Sequence, residues 1–144
     1  MTTLEDFLKL NKNRKIWTAT KDQNVRQALI LMSENNIGAI IVVDNNNSPI
    51  GIFSERDYAR KIILKGKSSK DTLLDEVMTK KLITVTRDDK IDQGMEIMTE
   101  KKIRHLPVLE NKKIIGIISI RDVLKIMIEE QKELINHLQK FITT

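Results

Sequence analysis

The feature that most constrains this chain is that it says the same thing twice. Residues 17–22 read "WTATKD" and residues 83–88 read "ITVTRD", an offset of 66. The same offset pairs Val25 with Ile91, Gln27 with Gln93, Met32 with Met98, Glu34 with Glu100, Ile37 with Ile103 and Val42 with Val108. One residue fewer in the second copy's loop shifts the offset to 65, and "GIFSERD" (51–57) then falls on "GIISIRD" (116–122). A register held over that length marks a duplication, so whatever one copy folds into, the other must match and pack against.

Each copy reads as β-α-β-β-α. "IWTAT" and "LITVT" are short β-rich segments. Helical spacing follows: Val25, Ala28, Leu29 and Met32 in one copy, Ile91, Met95 and Met98 in the other. The apolar runs "AIIVVD" and "HLPVLE" end at the polar turns "NNNSP" and "NKK", and "IGIFS" or "IIGIIS" closes a hairpin. Aromatic residues are only 3% of the chain, so the core has to come from Ile, Leu, Val and Met. The hairpin strands are apolar on nearly every residue and must be covered on both faces; the helices of the two copies are the expected cover.

Three segments lie outside the units. "TLEDFLKL" places Leu4, Phe7 and Leu8 on one face of an N-terminal helix. Residues 64–79 join the copies through Gly66, two serines and a short helical "LLDEVM". From Arg121 to about Phe141 there is no Gly or Pro, which predicts one long C-terminal helix or two joined ones, the later part carrying Leu134, Ile135, Leu138, Phe141 and Ile142 on one stripe. A second subunit is the expected cover for that stripe, with packing back onto the same chain as the alternative.

The two copies, with "DEVMTKKLITVTRDDKIDQGMEIMTEKKIRHLPVLE" as the most characteristic run, resemble a pair of CBS motifs forming one Bateman module. The resemblance implies an α/β (α+β) fold: two β-α-β-β-α CBS motifs related by pseudo-two-fold symmetry, plus the N-terminal helix and the long C-terminal helix. It implies one CBS-pair domain over 1–144, with motif 1 at 11–65, motif 2 at 75–130 and the C-terminal helix at 131–144. It further implies a stand-alone regulatory sensor that binds an adenosine-containing ligand (AMP, ADP, ATP, NAD or S-adenosylmethionine) in clefts between the motifs. Such pairs usually associate as flat homodimers and signal to a downstream effector protein, whose identity the sequence does not give.

Taken from the residues alone, Ser54 with Asp57 and Ser119 with Asp122 are capping-box pairs, each starting a helix. The same atoms suit a ligand: a helix N-terminus attracts phosphate, a serine can donate to a phosphate oxygen, and a carboxylate can accept from both ribose hydroxyls. The resemblance assigns ribose to Asp57 and Asp122 and phosphate to Ser54 and Ser119. Arg104 and His105 stand where the first copy has Gly38 and Ala39, and in CBS pairs basic residues there reach phosphates; a surface ion pair and a structural histidine are the competing readings. This difference leads us to expect two clefts of unequal charge preference. Arg56 and Arg121, repeated at each helix start, are divided between phosphate contact and salt bridging. For adenine, the resemblance points to Thr18, Ala19 and Thr20, to Thr84, Val85 and Thr86, and to walls from Ile37, Gly38, Ala39, Ile103 and Leu106, all equally eligible as plain core.

Other functions are disfavoured. With no cysteine and only two histidines, the chain lacks a thiol nucleophile, a Cys-ligated zinc site and a His-x-x-x-His pair, so no catalytic cofactor, no metal and no enzyme is expected. The net charge of +5 is scattered among acids rather than gathered in one block, and base-stacking aromatics are scarce, which argues against nucleic acid. No apolar run approaches the ~20 residues of a membrane span, and "MTTLEDFLKL" lacks the basic start of a signal peptide. A cytoplasmic location is the expectation. The alternative to a sensor is a structural dimerisation module with empty clefts.

Overall fold

The structure is a computed structural model that describes residues 2–143. Met1 and Thr144, the outer limits of the expected domain, lie outside the described residues. In chain order the elements are α1 (Leu4–Leu10), β1 (Thr18–Ala19), α2 (Val25–Glu34), β2 (Ala39–Val43) and β3 (Pro49–Ser54). Then come α3 (Glu55–Asp57), α4 (Leu74–Val77), α5 (Ile91–Lys101), β4 (His105–Glu110), β5 (Lys113–Ser119) and α6 (Ile120–Thr143). Directly after α3 the chain widens into a π-helical turn over Tyr58–Ile63, where Leu64 N donates to Ala59 O at 3.1 Å.

The duplication is visible bond by bond. In both hairpins the strands pair antiparallel in the same register, Ala39 with Ser54 and His105 with Ser119 at one end, Val42 with Gly51 and Val108 with Gly116 further along. A bulge interrupts each at the equivalent place, between Val42 and Val43 and between Val108 and Leu109. β1 runs parallel to β2, pairing Ala19 with Val42, and its counterpart pairs Val85 with Val108. That second contact is a single bridged residue rather than a strand. The residue at the position of Ile41 is Pro107, which has no N–H to extend the ladder by one more bond.

Each sheet has its own helix-side core. Ile40, Val42 and Phe53 pack with Val25, Ala28 and Met32 of α2; Leu106, Val108 and Ile118 pack with Ile91 and Met98 of α5 and Val123 of α6. The expectation that helices cover both sheet faces needs correcting. The other faces meet each other: Ile41, Val43 and Ile52 from one copy form a cluster with Leu109, Ile114 and Ile117 from the other. The strand period of two sends these residues away from the helices. Val43 and Leu109, like Ile52 and Ile117, are equivalent positions of the repeat meeting in one cluster, as pseudo-two-fold symmetry requires.

The two short helices are exchanged between the copies. α4 belongs to the first core through Leu74, Val77 and Met78, and α1 belongs to the second through Leu4 and Phe7. Leu73 bridges Asn24 before α2, and Thr3 bridges Lys90 before α5. A Cβ at Gly51 would lie 2.5 Å from Met78 Sδ, and one at Gly116 would lie 2.5 Å from Leu8 Cδ2, so both glycines admit the side chain of the crossing segment. Equivalent geometry reveals an equivalence between "TLEDFL" (3–8) and "LLDEVM" (73–78).

Candidate functional site

Both repeated phrases fold into the capping boxes that their spacing predicts. Ser54 Oγ accepts from Asp57 N at 3.2 Å, while Asp57 Oδ2 accepts from Ser54 N at 3.0 Å and from Ser54 Oγ at 3.1 Å. Ser119 and Asp122 repeat this at 3.1, 2.9 and 3.0 Å. Each helix start is also tied to the residue before its hairpin: Glu55 N donates to Gly38 O and Ile120 N to Arg104 O, at 3.0 and 2.8 Å. These bonds hold Gly38 and Arg104 beside the two serines.

Between the copies lies a cavity of about 340 Å³. The first copy contributes Gly38, Ile52, Ser54, Glu55, Arg56, Asp57 and Arg60; the linker contributes Thr79, Lys81, Leu82 and Ile83; the second copy contributes Lys102, Ile103, Arg104, His105 and Pro107. Ser54, Arg56, Asp57, Gly38, Ile103, Arg104 and His105 were legible as candidates and are brought together here. Five cationic side chains (Arg56, Arg60, Lys81, Lys102, Arg104) face this space against two carboxylates, Glu55 and Asp57. Among the described residues, Arg60, Lys81, Lys102 and Arg104 form no ion pair. Arg56 reaches across the copies, donating from Nη1 to Lys102 O at 3.4 Å. Such unpaired like charges lining one concave space favour an anion within it.

His105 lines the cavity next to Gly38, where an added Cβ would lie 3.6 Å from the His105 Cε1. Burial holds the imidazole below its ordinary value; the Asp122 carboxylate opposes this and Arg104 reinforces it. The neutral ring is thereby favoured.

The other candidates fall elsewhere. Asp57 has Lys61 Nζ 3.3 Å from Oδ1, but Lys61 is anchored away by Val77 O at 2.8 Å and Thr79 Oγ1 at 3.2 Å, and it is not among the cavity-lining residues. At Asp122, Arg14 forms a two-pronged bond, Nη1 to Oδ2 at 3.1 Å and Nη2 to Oδ1 at 3.2 Å. Burial works to raise the Asp122 pKa, yet the bonds from Arg14 and Ser119 hold it below the ordinary carboxylate value. Ser119 and Asp122 line neither this cavity nor the one of about 360 Å³ between α1 and β5. Arg121 is exposed on α6. Of the adenine candidates, Ala19, Ala39, Val85 and Leu106 are buried core, Ile37 packs against the first core, and Thr20, Thr84 and Thr86 are exposed. Thr18 is half-buried in β1.

Arg60, Lys81, Lys102, Thr79 and Ile83 were missed as site residues. Lys80-Lys81 and Lys101-Lys102 read in the sequence as scattered surface pairs, and only the crossing of the linker past the second copy's helix end gathers them. Among the described residues, no three His, Asp or Glu side chains are grouped to hold a metal ion, and no helix is long and apolar enough to cross a membrane.

With this geometry in place, comparison with known proteins is specific. The CBS domain matches residues 3–64 and 74–129, both copies. The CBS domain-containing protein CBSX3, mitochondrial, of Arabidopsis thaliana is 39% identical over 150 residues, spanning 98% of this chain and 72% of that protein. A solved protein with CBS domains from Burkholderia ambifaria is 45% identical with a TM-score of 0.85, covering 90% of this chain and 96% of that one. The CBS domain pair of protein MJ0100, solved in complex with 5-methylthioadenosine and S-adenosyl-L-methionine, shares the fold at a TM-score of 0.80 and 23% identity, covering 90% and 98%.

Proposed function

Because this chain belongs to the CBS domain family, as a tandem pair, we propose that it is a regulatory module that binds an adenine nucleotide in the cavity beside Ser54 and Asp57. The observation that carries this reading is the charge of the cavity. Five cations face two acids across a volume of about 340 Å³, which is in the range of a small-molecule site. A neutral or sulfonium-bearing adenosine would leave those cations uncompensated; a ligand with two or more phosphate groups, such as ADP, ATP or the pyrophosphate of NAD, compensates them.

In this reading Asp57 accepts from the ribose hydroxyls, and Arg56, Arg60, Lys81, Lys102 and Arg104 meet the phosphates. Ile52, Ile83, Ile103 and Pro107 supply apolar wall for the base. Ser54 contributes only if its hydroxyl hydrogen turns from Asp57 to a phosphate oxygen. The module acts by binding rather than by catalysis. A ligand touching both copies shifts their arrangement by its difference in affinity for the alternatives. The readout surface is α6, which starts directly after Ser119 and carries the exposed stripe Leu134, Ile135, Leu138, Phe141 and Ile142. That stripe suits a second copy of the chain, in a homodimer that signals to a downstream protein. The same stripe supports a second reading, a dimerisation module that works with its clefts empty. The cytoplasm, where such nucleotides are plentiful, is the compartment in which we place it.

A thermal-shift panel tests the proposal. ADP, ATP and NAD at 100 times their Kd are expected to stabilise the protein by about 2.7 kcal/mol, with 5-methylthioadenosine and S-adenosylmethionine giving less at the same concentrations. A panel in which no ligand moves the melting point removes the sensor reading and leaves the dimerisation module.

A further inference from the structure

The two copies differ most in what stands before their first strands. Aligning α1 with α4 through the side chains that fill Gly116 and Gly51 makes Leu8 equivalent to Met78. The next equivalent pair is Trp17 with Ile83. Between them the first segment has eight residues, 9–16, and the second has four, 79–82. The longer segment carries Arg14, and Arg14 grips Asp122 with both ends of its guanidinium.

Arg14 keeps 46% of its side chain exposed, yet it is held at more than its Asp122 end. Its Nη2 also donates to Asn11 Oδ1 at 3.0 Å, and its guanidinium lies 5.4 Å from the Phe7 ring centroid, over a residue of the second core. Asp122, the partner, is largely shielded, with 15% of its side chain exposed. Its Oδ2 carries the two Ser119 bonds and Nη1; its Oδ1 carries Nη2. No pair of oxygens is left facing outward for two ribose hydroxyls. In the first copy the compensating cation is Lys61, one helical turn along from Asp57; the equivalent position in the second copy is Ile126, which cannot serve. The charge of Asp122 is therefore met by a planar fork that engages both of its oxygens.

Resting on the proposal that Asp57 receives the ribose of an adenine nucleotide, we infer that Arg14 is an intramolecular occupant of the second cleft, so that the chain takes one nucleotide where its duplication offers two sites. Removing Arg14 frees Asp122 and opens a second site, one lacking an Arg104 equivalent because Gly38 stands at that position. The second site accordingly binds nucleotide more weakly than the first and discriminates less between AMP and ATP.

Isothermal titration with AMP, ADP, ATP and NAD, each titrated separately into the full chain, tests this. The wild type is expected to bind one nucleotide per chain. Arg14→Ala, and Arg14→Gln, which keeps the stem over Phe7, are expected to bind two. Adding Asp57→Asn to Arg14→Gln is expected to return the count to one, with the residual affinity nearly the same for AMP and ATP. Two nucleotides per wild-type chain would overturn the inference, as would one per chain in both Arg14 variants, while either result leaves the first site standing. No binding of any of the four to the wild type would instead remove the nucleotide reading itself, and this inference with it.

Discussion

Asp57 and Asp122 accept the same pair of bonds from their serines, yet one borders a cavity and the other is closed off by Arg14. If ribose binds in the first cleft, Asp57→Ala weakens nucleotide binding by the ~1.5–3 kcal/mol of a charge-assisted hydrogen bond, whereas Asp122→Ala leaves affinity within about twofold. Calorimetry on both variants separates them, and equal losses would contradict the assignment. His105 carries a second residue-scale prediction. Its native pKa is depressed from the ordinary 6.5, so below that pH the unfolded chain takes up a proton that the native chain refuses. Stability therefore declines as pH falls from about 6.5 toward the depressed native value. The urea midpoint of wild type is expected to drop more between about pH 7.5 and about pH 5.5 than that of His105→Gln, and identical drops would refute it. The serine–aspartate pairs were legible in the sequence because a capping box is a local pattern with fixed spacing. Arg14 was not, because nothing local links two residues 108 apart in the chain.

Among the elements, the hairpins and their flanking helices were readable from apolar runs and helical spacing, and the duplication doubled every signal. Three features escaped. The first strand of the second copy is cut to one bridged residue by Pro107, a signal that was present in "HLPVLE". The sheets meet face to face because alternation leaves an apolar side away from each helix layer. The exchange of α1 and α4 was hidden by low similarity between their sequences, since Leu4 and Leu74 are the one identity, Thr3 falls on Leu73, and the remaining four pairs change one apolar or one acidic residue for another. That exchange makes a terminal helix part of a core. Phe7 is 2% exposed, and Phe7→Ala is expected to cost the ~3–5 kcal/mol of a fully buried aromatic. Urea denaturation measures it; a loss below about 1 kcal/mol would mean that α1 is an ornament rather than a layer of the second unit.

At the scale of the whole molecule, the two copies form one body with a shared apolar centre and a cavity between them whose apolar wall carries five cationic side chains. Residues 131–143 of α6 are all exposed, and Leu134, Ile135, Leu138, Phe141 and Ile142 line one side of them. If a second copy covers that stripe, sedimentation equilibrium gives a dimer for the wild type and a monomer for Leu134→Lys/Leu138→Lys. A dimer that survives the double substitution would place the contact elsewhere. The asymmetry of charge between the clefts was visible in the sequence as Arg104-His105 against Gly38-Ala39; the contribution of Arg60, Lys81 and Lys102 was not, because it depends on how the linker crosses the second unit. The central claim is that this gathered charge selects a multiply phosphorylated adenine nucleotide. Calorimetric titration of adenosine, AMP, ADP and ATP into the wild-type chain tests it most directly. Affinity rising with each added phosphate, and falling back as salt is raised, is the predicted result; affinities that are equal across the series, or no saturable binding at all, would contradict it.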